Sequence, residues 1–261
     1  CSRRSEFQII QRSSSLAKWL NLTKLHRCLH ILRIRELKII LPEDLDEAIM
    51  REKFERQLVE LNNTMIDMGN KVIESINGSI DALINRDIEK AKKIMENDNE
   101  IDHLQKAIEN ICFNLLVAQQ PVAKDLRAIT AAMKMVTDME RIGDHAADIS
   151  EMTIMMGRDS KIDNFDHISK MAAETMIMLN QSIEAYVEKD TKKAHDVIEH
   201  DDIVDKLFDE AKKDVIRLII ESSDDGENAT DLLMIAKYFE RIGDHATNIA
   251  EWVIFSLKTD N

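Results

Sequence analysis

Four carboxylate pairs are the residues of this chain whose types and spacing could do chemistry. Glu140 and Asp144 stand at i,i+4 in the string Glu140-Arg141-Ile142-Gly143-Asp144-His145-Ala146. The same residues recur at 240–246, with Glu240 and Asp244 in the matching places. Residues 80–104 also align without gaps on 183–207, which matches Asp98 and Asp102 with Asp201 and Asp205. On a helix, carboxylates at i,i+4 share a face and repel by roughly 0.2–0.5 kcal/mol. The glycine inside the string costs about 1 kcal/mol relative to alanine. Composition alone would scatter roughly eight i,i+4 carboxylate pairs over solvated faces of so acidic a chain, so the spacing is weak evidence by itself. The duplication of its whole context is strong evidence, and it points to a bound cation. Oxygen-only donors suit hard cations such as Mg, Mn, Ca or iron, whereas zinc prefers Cys and His.

Helices must position these pairs. Two prolines and six glycines in 261 residues leave helix formers dominant. The 4-3 spacing of Phe54, Leu58, Leu61, Met65, Met68, Val72 and Ile76 predicts a first helix over 51–84. Asp87 caps a second, which ends before Pro121, and a third takes Pro121 in its first turn and runs to about Met156. Gly157 to Asp163 reads as a polar linker. The second half retraces the first, with helices over 164–188, 191–221 and 228–257 and a turn from Ser222 to Glu227. The expected fold is all-α: two tandem, internally duplicated three-helix bundles, residues 50–157 and 163–258.

At 100° per residue each acidic pair borders an apolar face, so neighbouring antiparallel helices can gather four carboxylates at the surface of each bundle. Gly143 and Gly243 would allow close approach. Asp148, Glu151 and Glu251 continue the face as further candidate ligands, and Asn248 stands in the Asp148 position, so the two sites should differ. His145 and His245 fall well round the helix and read as surface residues or neighbours of the ligands. A different chemistry is suggested by Glu100-Ile101-Asp102-His103, the Glu-x-x-His element of di-iron carboxylate oxidases and metal-storage bundles. It occurs once, and its repeat counterpart lacks the histidine. No phosphate loop, nucleophile elbow or Cys/His dyad is present, so no catalytic residues are expected.

Charge is divided unevenly. Residues 1–40 hold nine Lys/Arg against two Glu, a net of +7, so residues 41–261 carry −21 of the total of −14. The acidic body would repel a nucleic-acid backbone. No apolar run reaches the roughly 18 residues needed to cross a bilayer. Cys112, the one cysteine beyond residue 28, sits at an apolar helix position and reads as a reduced core thiol of a cytoplasmic protein. All 14 methionines lie from Met50 onward. Residues 1–49 are therefore expected to be a basic extension outside the fold, sequence upstream of a start at Met50, although a transit peptide or a basic amphipathic membrane-surface helix would share the composition.

The two copies of Glu-Arg-Ile-Gly-Asp-His-Ala, the run Gln119-Gln120-Pro121-Val122-Ala123-Lys124-Asp125-Leu126-Arg127 and the opening from Met50 to Gly69 resemble the PhoU family of bacterial phosphate-uptake regulators. The resemblance covers residues 50–258; repeat two lacks the Gln-Gln-Pro run. It implies metal clusters of iron, Mn or Mg on Asp98, Asp102, Glu140 and Asp144 and on Asp201, Asp205, Glu240 and Asp244. It further implies a cytoplasmic homodimer acting as an adaptor between the ATPase subunit of the phosphate ABC transporter and the phosphate-sensing histidine kinase. Such a protein would meet the membrane through its partners and keep the phosphate regulon off when phosphate is plentiful.

Overall fold

The computed structural model describes residues 43–118, 121–157, 166–221 and 226–258. They form six helices: α1 (Glu43–Asn85), α2 (Ile88–Ala118), α3 (Ala123–Met156), α4 (Asp166–Glu188), α5 (Thr191–Glu221) and α6 (Gly226–Leu257). No strand occurs among the described residues. The apolar stripe of α1 is the predicted one, with Phe54, Leu61, Met65, Met68, Val72 and Ile76 all buried and Leu58 packed beside them. Burying each large side chain contributes about 1.5–3 kcal/mol, far more than any helix propensity in the stripe.

The duplication is visible in the backbone. Arg86 (φ 53°) ends α1 and Lys189 (φ 57°) ends α4, both in the left-handed region. In each turn the next aspartate closes the helix end, Asp87 N–H donating to Ala82 O at 2.9 Å and Asp190 N–H to Ala185 O at 3.0 Å. The same aspartates then cap the following helices. Asp87 Oδ1 accepts from Lys90 N–H at 3.0 Å and Asp190 Oδ1 from Lys192 N–H at 2.8 Å.

Helix starts differ from expectation where capping is weak. The first helix starts at Glu43, so Met50 lies within it. α3 begins at Ala123, leaving Pro121 outside: Val122 is the extended cap residue, and its carbonyl takes the first intrahelical bond, from Leu126 N–H at 2.9 Å. α6 starts at Gly226 and α5 spans the predicted 191–221. Residues 1–42, most of the linker and most of the Ser222–Glu227 turn lie outside the described residues.

Residues 53–261 form one compact unit. Within it α2 packs on α3, while α4, α5 and α6 pack on one another. Among the described residues the repeats meet along two seams. α3 lies against α6 over an extensive face. α1 meets α4 where Ile183 fills the space over Gly69 and Tyr186 Oη donates to Asn62 Oδ1 at 2.7 Å. A continuous core joins both repeats and takes in Cys112, whose thiol burial pushes up to about 12.

Candidate metal centre

α2 and α3 bring the first acidic set together at a glycine. A Cβ on Gly143 would lie 2.8 Å from Ile101 Cδ1 and 3.4 Å from Asp98 Oδ1. α5 and α6 repeat the arrangement, with Asp201 Oδ1 3.0 Å and Val204 Cγ1 3.5 Å from the Cβ position of Gly243. In each repeat the absent side chain lets an aspartate of the neighbouring helix lie against the backbone of the duplicated string.

Electrostatics shows which carboxylates face one another. Asp98 is pushed up to about 6, first by burial, then by the charges of Asp144, Asp102 and Asp148. Burial, then Asp144, raises Glu140 against the opposing Arg141. In repeat two, burial pushes Asp201 up to about 6, helped by Asp244, Asp205, Glu240 and Asp202. Asp244 is raised by burial and then by Glu240, while Lys237 opposes. All eight predicted residues thus interact within their own repeat. Asp148 joins the first set; Glu151 and Glu251 are exposed and join neither.

Side-chain cations partly neutralise the clusters. Arg141 reaches Asp144 at 2.8 Å and Glu140 at 3.5 Å from a half-exposed position. Lys106 stands 3.9 Å from Asp102. Lys237 Nζ lies 2.5 Å from Glu240 Oε2. That oxygen is buried and has no hydrogen bond of proper geometry, so its charge is met but its lone pairs are not. Among the described residues no three His, Cys, Asp or Glu side chains are already arranged to hold an ion. The donor chemistry, the glycine cradles and the orphaned Glu240 oxygen are those that would suit a hard cation.

The Glu-x-x-His element goes elsewhere. Glu100 pairs with Lys71 at 2.9 Å across to α1, and His103 Nδ1 faces Asn99 O on its own helix.

His145 is a neighbour of the first acidic set, as one half of the expectation had it, but it is buried rather than a surface residue. His145 and His245 stand between the repeats on the α3–α6 seam, their rings 5.7 Å apart, and His145 is 8% exposed. His145 stacks on Tyr238 at 5.4 Å and faces Asp148 at 3.3 Å, and burial lowers its pKa. His245 pairs with Asp138 at 2.8 Å. Beside them an open cleft of about 690 Å³ is lined by Arg141, Arg241, Thr247 and Asn248. Neither Lys237 nor the contacts across the seam follow from the duplication, which says nothing of how one copy packs on the other. The signal available is where the copies differ: Thr137 matches Lys237, and Asp138, partner of His245, matches Tyr238, partner of His145.

A family model for the PhoU domain matches the chain twice, over residues 65–153 and 168–253, one match per three-helix repeat. The phosphate-specific transport system accessory protein PhoU homolog of Clostridium acetobutylicum is 36% identical over 206 residues, covering 78% of this chain and 94% of that protein. Among solved structures, the crystal structure of PhoU from Pseudomonas aeruginosa matches with a TM-score of 0.75 and 28% identity, covering 78% of this chain and 98% of that one. The phosphate transport system regulatory protein PhoU from Streptococcus pneumoniae matches with a TM-score of 0.73 and 28% identity, covering 78% and 96%.

Proposed function

The chain belongs to the PhoU family, and on that premise we propose that it is a metal-loaded docking protein that restrains phosphate uptake and represses the phosphate regulon when phosphate is abundant. The family is one of accessory regulatory proteins, not enzymes, and its place is with a phosphate transport system. The partners proposed are the transporter's ATPase subunit and the phosphate-sensing histidine kinase, with the chain acting as a homodimer in the cytoplasm. No helix among the described residues is long and apolar enough to cross a membrane, in keeping with membrane contact through partners.

The observation that carries this reading is the coincidence of the two family matches with the two carboxylate clusters. Asp98, Asp102, Glu140 and Asp144 would hold one metal centre, and Asp201, Asp205, Glu240 and Asp244 the other. Iron, Mn or Mg would supply positive charge and tie α2 to α3 and α5 to α6; no bond-making chemistry is required of it. Loaded and unloaded states would present acidic faces of very different charge to a partner, and charge complementarity governs both encounter rate and specificity.

Deletion of the gene tests the regulatory part. A phosphate-repressed promoter should fire in phosphate-rich medium and fall silent again when the intact chain is restored. Restoration by a chain with all eight carboxylates replaced by their amides would remove the metal from the mechanism. Failure of the intact chain to co-purify with the ATPase subunit and the kinase would remove the adaptor.

A further inference from the structure

The antiparallel crossing of α3 and α6 gathers charge of the sign opposite to that of the clusters. Asp138 meets His245 and His145 meets Tyr238, so the helices cross midway between these contacts, beside Arg141 and Arg241. The duplicated string thus delivers the same arginine from each repeat to one open cleft of about 690 Å³. Arg141 gives part of its fork to Asp144 at 2.8 Å, whereas Arg241 makes no ion pair among the described residues. Thr247 lines the same cleft, and its hydroxyl oxygen is buried without a hydrogen-bond partner. Elsewhere on α3 and α6, Thr153 and Thr230 donate to the carbonyl four residues earlier, a bond that Thr247 lacks. Two of the acids beside the cleft are already occupied: Asp138 is held by His245 and Asn248, and Asp148 faces His145. Asp244 is exposed and lines the cleft itself.

Two guanidinium forks and an unpartnered hydroxyl suit a tetrahedral oxyanion, which arginine binds through paired hydrogen bonds. Left alone, the two like charges repel. A carboxylate in the same wall can only accept, so it disfavours an anion without protons and favours one that keeps a hydroxyl. At neutral pH inorganic phosphate keeps one and sulfate keeps none. We propose that the α3–α6 cleft binds inorganic phosphate between Arg141, Arg241 and the Thr247 hydroxyl, with Asp244 accepting from the phosphate hydroxyl. The bound anion offsets the repulsion between the arginines, ties one repeat to the other and competes with Asp144 for Arg141. The site goes beyond the docking role proposed above and depends on neither the metal nor the partners named there.

The test is equilibrium dialysis of radiolabelled inorganic phosphate against the full chain, in chelator and at low ionic strength, with thermal unfolding of each variant to verify folding. Wild type should bind phosphate saturably, and sulfate should compete about tenfold less well, the scale of one charge-assisted hydrogen bond. Arg241→Gln should weaken binding by about tenfold, and Arg241→Lys, which keeps the charge without the fork, by less. Thr247→Val keeps the shape, loses the donor and should weaken binding about fivefold. Asp244→Asn should let sulfate compete as well as phosphate does. Arg217→Gln removes the same charge from an exposed position outside the cleft and should leave affinity within about twofold of wild type. Absence of saturable phosphate binding, equal competition by sulfate in the wild type, or unchanged affinity in both Arg241→Gln and Thr247→Val would overturn the site. So would equal losses in Arg217→Gln and Arg241→Gln, which would mark a diffuse attraction. Chelator removes metal from every sample, so none of these results touches the metal centres, and the promoter assay judges the regulatory role separately.

Discussion

His245 Nδ1 lies 2.8 Å from Asp138 Oδ1, a pair that joins opposite repeats across 107 positions of sequence. Asn248 Nδ2 donates to the same oxygen at 3.1 Å. In the duplication Asp138 corresponds to Tyr238, on which His145 stacks. The two histidines therefore make equivalent contacts in opposite directions across the seam, one polar and one aromatic. Such contacts fix how the repeats sit on each other, which an apolar α3–α6 face alone would not.

Asp138→Ala should cost about 1–3 kcal/mol, because it leaves His245 and Asn248 without their partner in a site where Asp138 is only 14% exposed. For a chain of this size that lowers the thermal midpoint by several degrees, at about 2–4 °C per kcal/mol. Asp148→Ala should cost less, since its contact with His145 is 3.3 Å long and its loss relieves repulsion at Asp98. Equal losses would mean that the seam draws no strength from its polar contacts.

Cleaving the backbone between Gly157 and Asp166 should leave one particle on gel filtration, because α3 packs on α6 and α1 meets α4. Each half alone would expose its seam and should unfold at lower temperature than the nicked pair. Two halves that separate and keep the stability of the whole would show the repeats to be independent domains.

Local features of this fold were legible and relational ones were not. The span of α5, the cap Asp87 and the buried stripe of α1 follow from residue type and period within a few turns of chain. So did the four carboxylates of each repeat, since an ungapped duplication carries register with it. What duplication leaves out is how one copy packs on the other. His145 and His245 look peripheral on a single helix and become central when α3 meets α6. Lys237 looks like one more surface lysine until Phe208 and Glu240 are seen on either side of it.

The metal-free protein should gain stability on mild acidification through its clusters. Asp98 and Asp201 titrate at about 6 when folded, above the ordinary aspartate value near 3.8. The folded chain therefore binds protons that the unfolded chain releases, and stability rises as pH falls from above 6 toward 4. Buried His145, held low, acts in the opposite sense, so the comparison must be differential. In chelator, the midpoint of wild type minus that of Asp98→Asn/Asp201→Asn should become more positive between pH 7.5 and pH 5, by a shift following those two values of about 6. A difference that stays flat across the window would mean the two aspartates are not under the repulsion described.

Metal should reverse the sign of that repulsion, and the double variant Glu240→Gln/Asp244→Asn separates the two regimes. In chelator it should lie close to wild type, because the relief of like charges around Asp201 is set against the loss of the Lys237–Glu240 pair. In millimolar Mn or Mg it should lose most of the rise in midpoint that repeat two contributes, since binding to the folded state stabilises by mass action. Controls must be chosen with the structure in view. Glu174 and Glu184 look neutral in sequence, but they hold His200 at 2.6 Å and Lys193 at 2.7 Å, so replacing either would destabilise for its own reasons. Glu96 and Glu199 are exposed, occupy matching positions in the two repeats and lie outside both clusters. Their replacement by glutamine should alter neither the chelated midpoint nor the metal response. If the wild-type midpoint does not move with any divalent ion, the clusters are solvated acidic faces, and the glycine cradles serve packing alone.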